Sequence, residues 1–208
     1  VVALVLPTQK DREIIAEFAG MPNLEVVYGD LTDYADVEAC VRGADYVLHV
    51  GALVSPAADE HPDLAWRVNV GSNENIVKAI LAQPDPSATA FVGVGSVAET
   101  GDRRPSVHWG RIGDPLRVSQ YDGYGQSKVA AEKIVIDSGL PRWAWLRQTG
   151  IFHPGMLEIR DPIMTHSPFG DVMEWVSDID SARLLANICE GAPEEFWGGI
   201  YNIGGGES

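Results

Sequence analysis

Short apolar runs alternate with helix-patterned stretches along most of this 208-residue sequence, and that alternation constrains the fold more than any other feature. Residues 1–6 (VVALVL), 23–28, 46–50, 89–95 and 143–147 are rich in β-branched, aromatic or small apolar residues, with Pro, Gly or Asp close by. A continuous run such as residues 1–6 fits a parallel strand buried on both faces. Between the runs, residues 10–18, 34–41, 66–81 and 124–137 read as helices, followed by 178–190 and a last short strand at 199–203. Thr32 or Asp33 caps the second helix and Gly43 closes it; Ser177 or Asp178 caps the last. Strand then helix, repeated, predicts an α/β fold on a doubly wound parallel sheet.

Two stretches break the pattern. Residues 101–121 read as a long loop of the kind that carries function, with Trp109 and Arg111 available to shape a pocket beside Glu99. Residues 151–176 are dense in Pro, Gly and Met and show no period. In doubly wound sheets, ligands bind beyond the carboxyl ends of the strands. Asp30, Gly51, Ser96 and Thr149 each follow a predicted strand and so fall on that edge.

Tyr124 and Lys128 stand four residues apart at the start of a predicted helix. Residues at that spacing share a helix face. An ammonium there can favour the ionised phenol, lowering a pKa of about 10. Ser96, at the end of the fourth strand, can cap the following turn or stabilise charge on a reacting oxygen.

Composition narrows the remaining classes. Thirty acidic residues against fifteen basic ones give a formal charge of −15, which disfavours nucleic acid and anionic membrane surfaces. No apolar run is long enough to span a bilayer. Cys40 and Cys189 are far apart and read as core residues of a reducing, cytoplasmic protein. The five His form no metal-binding pattern, so no metal is expected. His49 lies inside an apolar strand and reads as a core histidine, while Trp66, Trp143 and Trp145 read as core or lobe contacts.

Taken in order, these pieces resemble the extended short-chain dehydrogenase/reductases, the NAD-dependent epimerase/dehydratase group. Gly29-Asp30-Leu31-Thr32-Asp33 is similar to that family's "GDl.d" turn, and Val47-Leu48-His49-Val50-Gly51-Ala52 to its "ViHlAa" strand. Asn69-Val70-Gly71-Ser72-Asn73-Glu74-Asn75 resembles "NV.GT.Nll", and Gly95-Ser96-Val97-Ala98-Glu99-Thr100-Gly101 resembles "SS..vyG". Residues 146–155 are similar to "lR...vyGPg", 176–182 to "v.vdDva" and 201–205 to "yNig".

The resemblance implies a Rossmann-like core over residues 1–150 and a reduced substrate lobe over 151–208 whose helix and strand return to the core. It implies Ser96, Tyr124 and Lys128 as the catalytic group, Lys128 also holding the nicotinamide ribose. Asp30, Leu31, Val50, Gly51, Ala52, Asn69, Gln148 and Thr149 would line the cofactor, with Tyr124 and Lys128. Val97, Ala98, Glu99 and His153 would face substrate. The cofactor is NAD or NADP, since Leu6 at the end of the first run is neither acidic nor basic. A homodimer through the Tyr124 helix and its neighbour is implied as well.

The family's opening strand, glycine-rich turn and first helix have no counterpart in this sequence, in which Val1 matches the start of the second strand. The favoured activity is reduction or oxidation of a small or apolar carbonyl or alcohol. Sugar dehydration would call for acidic helpers beside Ser96, where Val97, Ala98 and Glu99 stand. Nucleotide-sugar epimerisation would call for a larger lobe, and Arg160 is its one basic residue between 156 and 176. A nucleotide-sugar epimerase or dehydratase, a non-catalytic dinucleotide-binding regulator and a structural module are the alternatives.

Overall fold

The computed structural model describes residues 1–101, 110–158 and 174–206; Trp109 and Arg160 lie outside them. The first half carries β1 (Val2–Val5), α1 (Gln9–Ala16), β2 (Glu25–Tyr28), α2 (Tyr34–Val41) and β3 (Tyr46–His49). Next come α3 (Ala57–Glu60), α4 (Pro62–Trp66), a π-helical turn (Arg67–Gly71), α5 (Ser72–Leu81) and β4 (Ala90–Ser96). A 3-10 turn (Val97–Thr100) leads towards α6 (Gly123–Asp137), β5 (Trp143–Gln148) and β6 (Gly150–Phe152). β7 (Trp175–Ser177), α7 (Asp178–Gly191) and β8 (Gly199–Ile203) complete the described order.

Local chemistry fixes the helix starts. Thr8, Asp33, Asp122 and Ser177 each accept a backbone N–H of the helix that follows, and a cap of this kind contributes about 1 kcal/mol.

The sheet is parallel, with β3, β4, β5 and β8 hydrogen-bonded in that order and β1 paired with β2 beside them. The facing edges of β1 and β3 are not bonded to each other and flank a cavity of about 760 Å³, lined by Ala3 and Leu4 on one side and Val47 and His49 on the other. The usual order for such folds is 3-2-1-4-5-6. With β1 matching the second strand, this cavity lies where the first would run.

Phe91 and Trp145 face one side of the sheet and are fully buried against α2, α5 and α6 through Val37, Ile80 and Val135. Val92 and Leu146 alternate with them and meet Ile188 of α7 on the opposite side. Helices on both faces make the sheet doubly wound. Each fully buried aliphatic or Phe side chain contributes about 1.5–3 kcal/mol.

Three details differ from the sequence reading. Residues 66–81 are not one helix, because the Arg67–Gly71 turn is π-helical where Asn69 bonds outward. Trp66 is half exposed rather than a core residue, whereas Trp145 is buried. β6 and β7 pair in parallel within the stretch that shows no period; three residues each are too few to declare one.

Candidate active site

The carboxyl ends of β3, β4 and β5 converge because the strands are parallel, and Ser96 and Gln148 are register partners across β4 and β5. Ser96 is the last residue of β4 and the N-cap of the 3-10 turn. Its Oγ accepts from the Ala98 N–H at 3.2 Å, and its own N–H donates to Glu99 Oε1 at 2.7 Å, a capping box. Ser96 thus caps the turn, and its hydroxyl also faces the Tyr124 phenol.

α6 brings Tyr124 and Lys128 to the same strand end. Asp122 caps it through the Gly125 N–H at 2.7 Å. Lys128 is buried, and its Nζ donates to the Val94 carbonyl at 2.8 Å while lying 6.0 Å from the centroid of the Tyr124 ring. Burial pushes the Tyr124 hydroxyl up to about 12; Ser96 opposes the rise, and the charges of Glu99 and Asp122 add to it. Burial pulls Lys128 down to about 8, opposed by Glu99. The sequence reading has Lys128 lower the phenol's pKa; here burial raises it, opposed by Ser96 alone, and Tyr124 holds its proton at neutral pH.

The residues expected along the cofactor separate into two groups. Asp30 follows β2 in a turn in which its Oδ1 accepts from the Thr32 N–H and hydroxyl, both at 2.8 Å. Leu31 is half-buried, Val50 is exposed, and a Cβ on Gly51 would come 2.8 Å from Leu31 Cδ1, so Leu31, Val50, Gly51 and Ala52 sit at one strand edge. Thr149 is buried, and its hydroxyl has no partner among the described residues. Gln148 is engaged by the Ser181 hydroxyl.

Asn69 belongs to neither edge nor opening. It is 1% exposed; its Oδ1 accepts from the Leu53 N–H at 2.8 Å, and its Nδ2 donates to the Leu53 carbonyl and the Ser127 hydroxyl, each at 2.9 Å. Its amide holds the 50–56 loop against α6 and is spent doing so.

Of the residues expected to face substrate, Val97, Ala98 and His153 are half-buried. Glu99 is 0% exposed and points into the core, so it does not face a substrate from this position. His49 is buried with Nε2 2.9 Å from the Ser72 hydroxyl, and burial, then Lys128, pulls it down to about 3: a neutral core histidine. Among the described residues no group of three or more His, Cys, Asp or Glu could hold a metal ion, and no helix is long and apolar enough to cross a membrane.

The family model for the NAD dependent epimerase/dehydratase family matches residues 5–140, more than half of the chain. The chain belongs to that family. Among curated relatives it is 26% identical over 151 residues to mouse 3 beta-hydroxysteroid dehydrogenase type 7, covering 69% of this chain and 41% of that protein. It is 29% identical over 120 residues to the 3 beta-hydroxysteroid dehydrogenase/Delta 5→4-isomerase of Mycobacterium tuberculosis, covering 55% of this chain and 31% of that one.

Among solved structures, a dTDP-glucose 4,6-dehydratase from Streptomyces venezuelae with NAD bound superposes with a TM-score of 0.79 at 22% identity, over 100% of this chain and 66% of the other. The UDP-glucose 4-epimerase of Thermus thermophilus in complex with NAD gives 0.72 at 22% identity, over 100% and 70%. At that identity the likeness is one of fold. The chain thus spans about two fifths or less of the length of these curated relatives and about two thirds of these structural neighbours.

One part of this family member is not foreshadowed by the sequence reading. Arg147 of β5 donates to both Glu132 oxygens of α6 at 2.7 Å, and its Nε lies 3.4 Å from Glu99 Oε2. Trp145 Nε1 donates to the Glu99 carboxyl at 3.2–3.3 Å. Burial, then Glu132, pushes Glu99 up to about 8, with the Ser96 N–H and Arg147 opposing. Two sequence signals could have found the network: Glu132 stands four residues after Lys128, and Arg147 is a charge inside an apolar strand.

Proposed function

We propose that this chain carries the acid/base centre of an NAD-dependent oxidoreductase acting on an apolar secondary alcohol or the corresponding carbonyl, with Ser96, Tyr124 and Lys128 as its catalytic group. The observation that carries the reading is the meeting of the Ser96 hydroxyl and a neutral Tyr124 phenol at the end of β4, with the Lys128 ammonium behind them. Tyr124 gives its proton to the substrate oxygen in the reducing direction and takes it back in the oxidising one. Ser96 donates a hydrogen bond to the same oxygen. Lys128, positively charged below about pH 8, favours the phenoxide left after proton transfer.

NAD, when bound, supplies or accepts the hydride. The residues present fit such a cofactor in part: Leu31, Val50 and Gly51 offer an apolar shelf at the strand edge, and the buried Thr149 hydroxyl is free to bond among the described residues. Asp30 has a carboxyl oxygen beyond the one its turn uses. Gln148 and Ala52 belong to the same edge. Among the described residues no glycine-rich turn leads into a helix, so a diphosphate has no backbone cradle of that kind among them. The relatives that act on 3β-hydroxysteroids support an apolar alcohol as substrate. The homodimer through α6 and its neighbour α5 is part of the same reading.

The second reading is a nucleotide-sugar epimerase or dehydratase, favoured by the likeness of fold, over the whole of this chain and about two thirds of theirs, to a dehydratase and an epimerase. Against dehydration stand Val97 and Ala98, which are apolar, and Glu99, which faces the core. The test is a fluorescence titration of the protein with NADH and NADPH. It is followed by assays with NAD and a 3β-hydroxysteroid, UDP-glucose or dTDP-glucose. Binding of NADH and turnover of the sterol are expected. No binding of either nucleotide would overturn both readings, and sugar turnover alone would select the second.

A further inference from the structure

We propose that Glu99 is a positioning residue of this site: its buried carboxyl group holds the Ser96 backbone from behind and so sets where the Ser96 hydroxyl meets Tyr124. The inference rests on the reading of Ser96, Tyr124 and Lys128 as the catalytic group.

The end of β4 is held at two points. Lys128 Nζ donates to the Val94 carbonyl at 2.8 Å, and two residues on, the Ser96 N–H donates to Glu99 Oε1 at 2.7 Å. A cation from α6 and a carboxyl group from the 3-10 turn thus fix two backbone groups of one strand end, and the Ser96 side chain leaves between them. Glu99 has no other surface to serve, since it is 0% exposed.

Its place is not explained by charge pairing. Arg147 already has a bidentate partner in Glu132, at 2.7 Å for both contacts, and Glu99 stands further off at 3.4 Å. A second buried carboxyl group beside a neutralised pair is costly, and an apolar residue of similar volume would cost less. The room for it is made by Gly95, where a Cβ would overlap both Glu99 Oε1 and the Trp145 indole nitrogen. A costly group in a space opened for it, bonded to the N–H of Ser96, holds that residue in place.

The groups facing Glu99 are Ser96 on β4, Trp145 and Arg147 on β5, and Glu132, Lys128 and Tyr124 on α6. Glu132 is paired with Arg147, so Glu99 carries the proton at neutral pH and releases it at about 8. The Ser96 amide should therefore report the titration of the carboxyl group to which it donates.

The experiment has two arms on the whole protein. In the first, the Ser96 amide proton is followed by NMR from pH 6 to 9.5, assigned through its loss in Ser96→Pro or by sequential labelling. It is expected to titrate with a midpoint near 8 and to lie flat in Glu99→Gln. A flat wild-type signal, or an unchanged titration in Glu99→Gln, overturns the proposal. In the second arm, NADH oxidation is measured with a 3-ketosteroid. Glu99→Val is expected to lower kcat about tenfold or more at unchanged KM, and Glu99→Gln, which keeps the acceptor oxygen, to recover most of the loss. Wild-type kcat in Glu99→Val overturns it as well. Absence of turnover in the wild type counts against the oxidoreductase reading alone, because the NMR arm needs neither cofactor nor substrate.

Discussion

Lys128 Nζ lies 2.8 Å from the carbonyl oxygen of Val94 and is directed along the end of β4, 6.0 Å from the centre of the Tyr124 ring. The ammonium is therefore a fixed charge behind the phenol rather than its hydrogen-bond partner. With the hydroxyl pushed up to about 12 and Lys128 pulled down to about 8, Tyr124 keeps its proton across the working range while Lys128 loses its own at the upper end. Carbonyl reduction should thus decline as pH rises through about 8. Lys128→Met should be slower throughout and lack that step. Tyr124→Phe should lower kcat about 100-fold or more while NADH affinity stays close to wild type. A pH–rate profile with each variant checks this, and a Tyr124→Phe protein with undiminished kcat would remove the phenol from the chemistry.

The two ion pairs of α6 make a controlled comparison. Arg147 and Glu132 are buried and bidentate, whereas Lys133 and Asp137 meet at 3.0 Å with side chains 76% and 60% exposed. Removing one partner of a buried pair strands the other charge and costs about 3–5 kcal/mol. An exposed pair contributes about 0–1 kcal/mol. Glu132→Ala should lower stability to urea by the larger amount, and Lys133→Ala should change it little. Equal effects would mean that Glu99 takes over the charge of Arg147 when Glu132 is lost.

The places of Ser96 and Tyr124 in the fold were legible because each sits at a position the strand and helix pattern fixes. Ser96 closes an apolar run, and Tyr124 opens a helix whose stop at Ser138 and Gly139 is also plain. What the sequence did not carry was direction. Glu99 follows Ser96 by three residues, a spacing as consistent with a pocket wall as with a capping box; the 3-10 turn turns it into the core. Asn69 stands in a pattern suggesting a cofactor contact, yet the π-helical turn aims its amide at Leu53. The balance at Tyr124 was equally hidden, because desolvation depends on residues brought together from β4, α6 and the 3-10 turn.

Asn69 bears a prediction of its own. Its amide satisfies the partly buried Leu53 N–H and carbonyl and donates to the buried Ser127 hydroxyl. Asn69→Ala removes the partner of both Leu53 groups, while the Ser127 hydroxyl keeps its bond to the Tyr124 carbonyl, at a cost of about 1–3 kcal/mol. The loop that follows Gly51 should loosen, so NADH affinity should fall although the Asn69 amide is engaged within the protein. Thermal unfolding and NADH titration should change together. A loss of affinity at unchanged stability would instead place Asn69 on the cofactor.

Glu99 also sets a pH dependence of stability that its own substitution isolates. Its carboxyl group is raised from an ordinary value of 4.5 to about 8 in the folded chain. Between those values the folded protein holds a proton that the unfolded chain has released, so this contribution is fully present below about 4.5 and is lost as pH rises through about 8. His49, pulled down to about 3, acts with the opposite sign below its ordinary value of 6.5, and Lys128 acts above about 8. To first order both are common to wild type and Glu99→Gln and cancel in the difference. Glu99→Gln should therefore gain on the wild type between pH 5 and pH 8 by roughly 1 kcal/mol or more, since a tenfold change in proton affinity corresponds to about 1.4 kcal/mol. Urea unfolding at pH 5, 6.5 and 8 measures the difference. Parallel curves would mean that Glu99 ionises in the folded protein as it does in the unfolded chain, with the proton held elsewhere in the cluster.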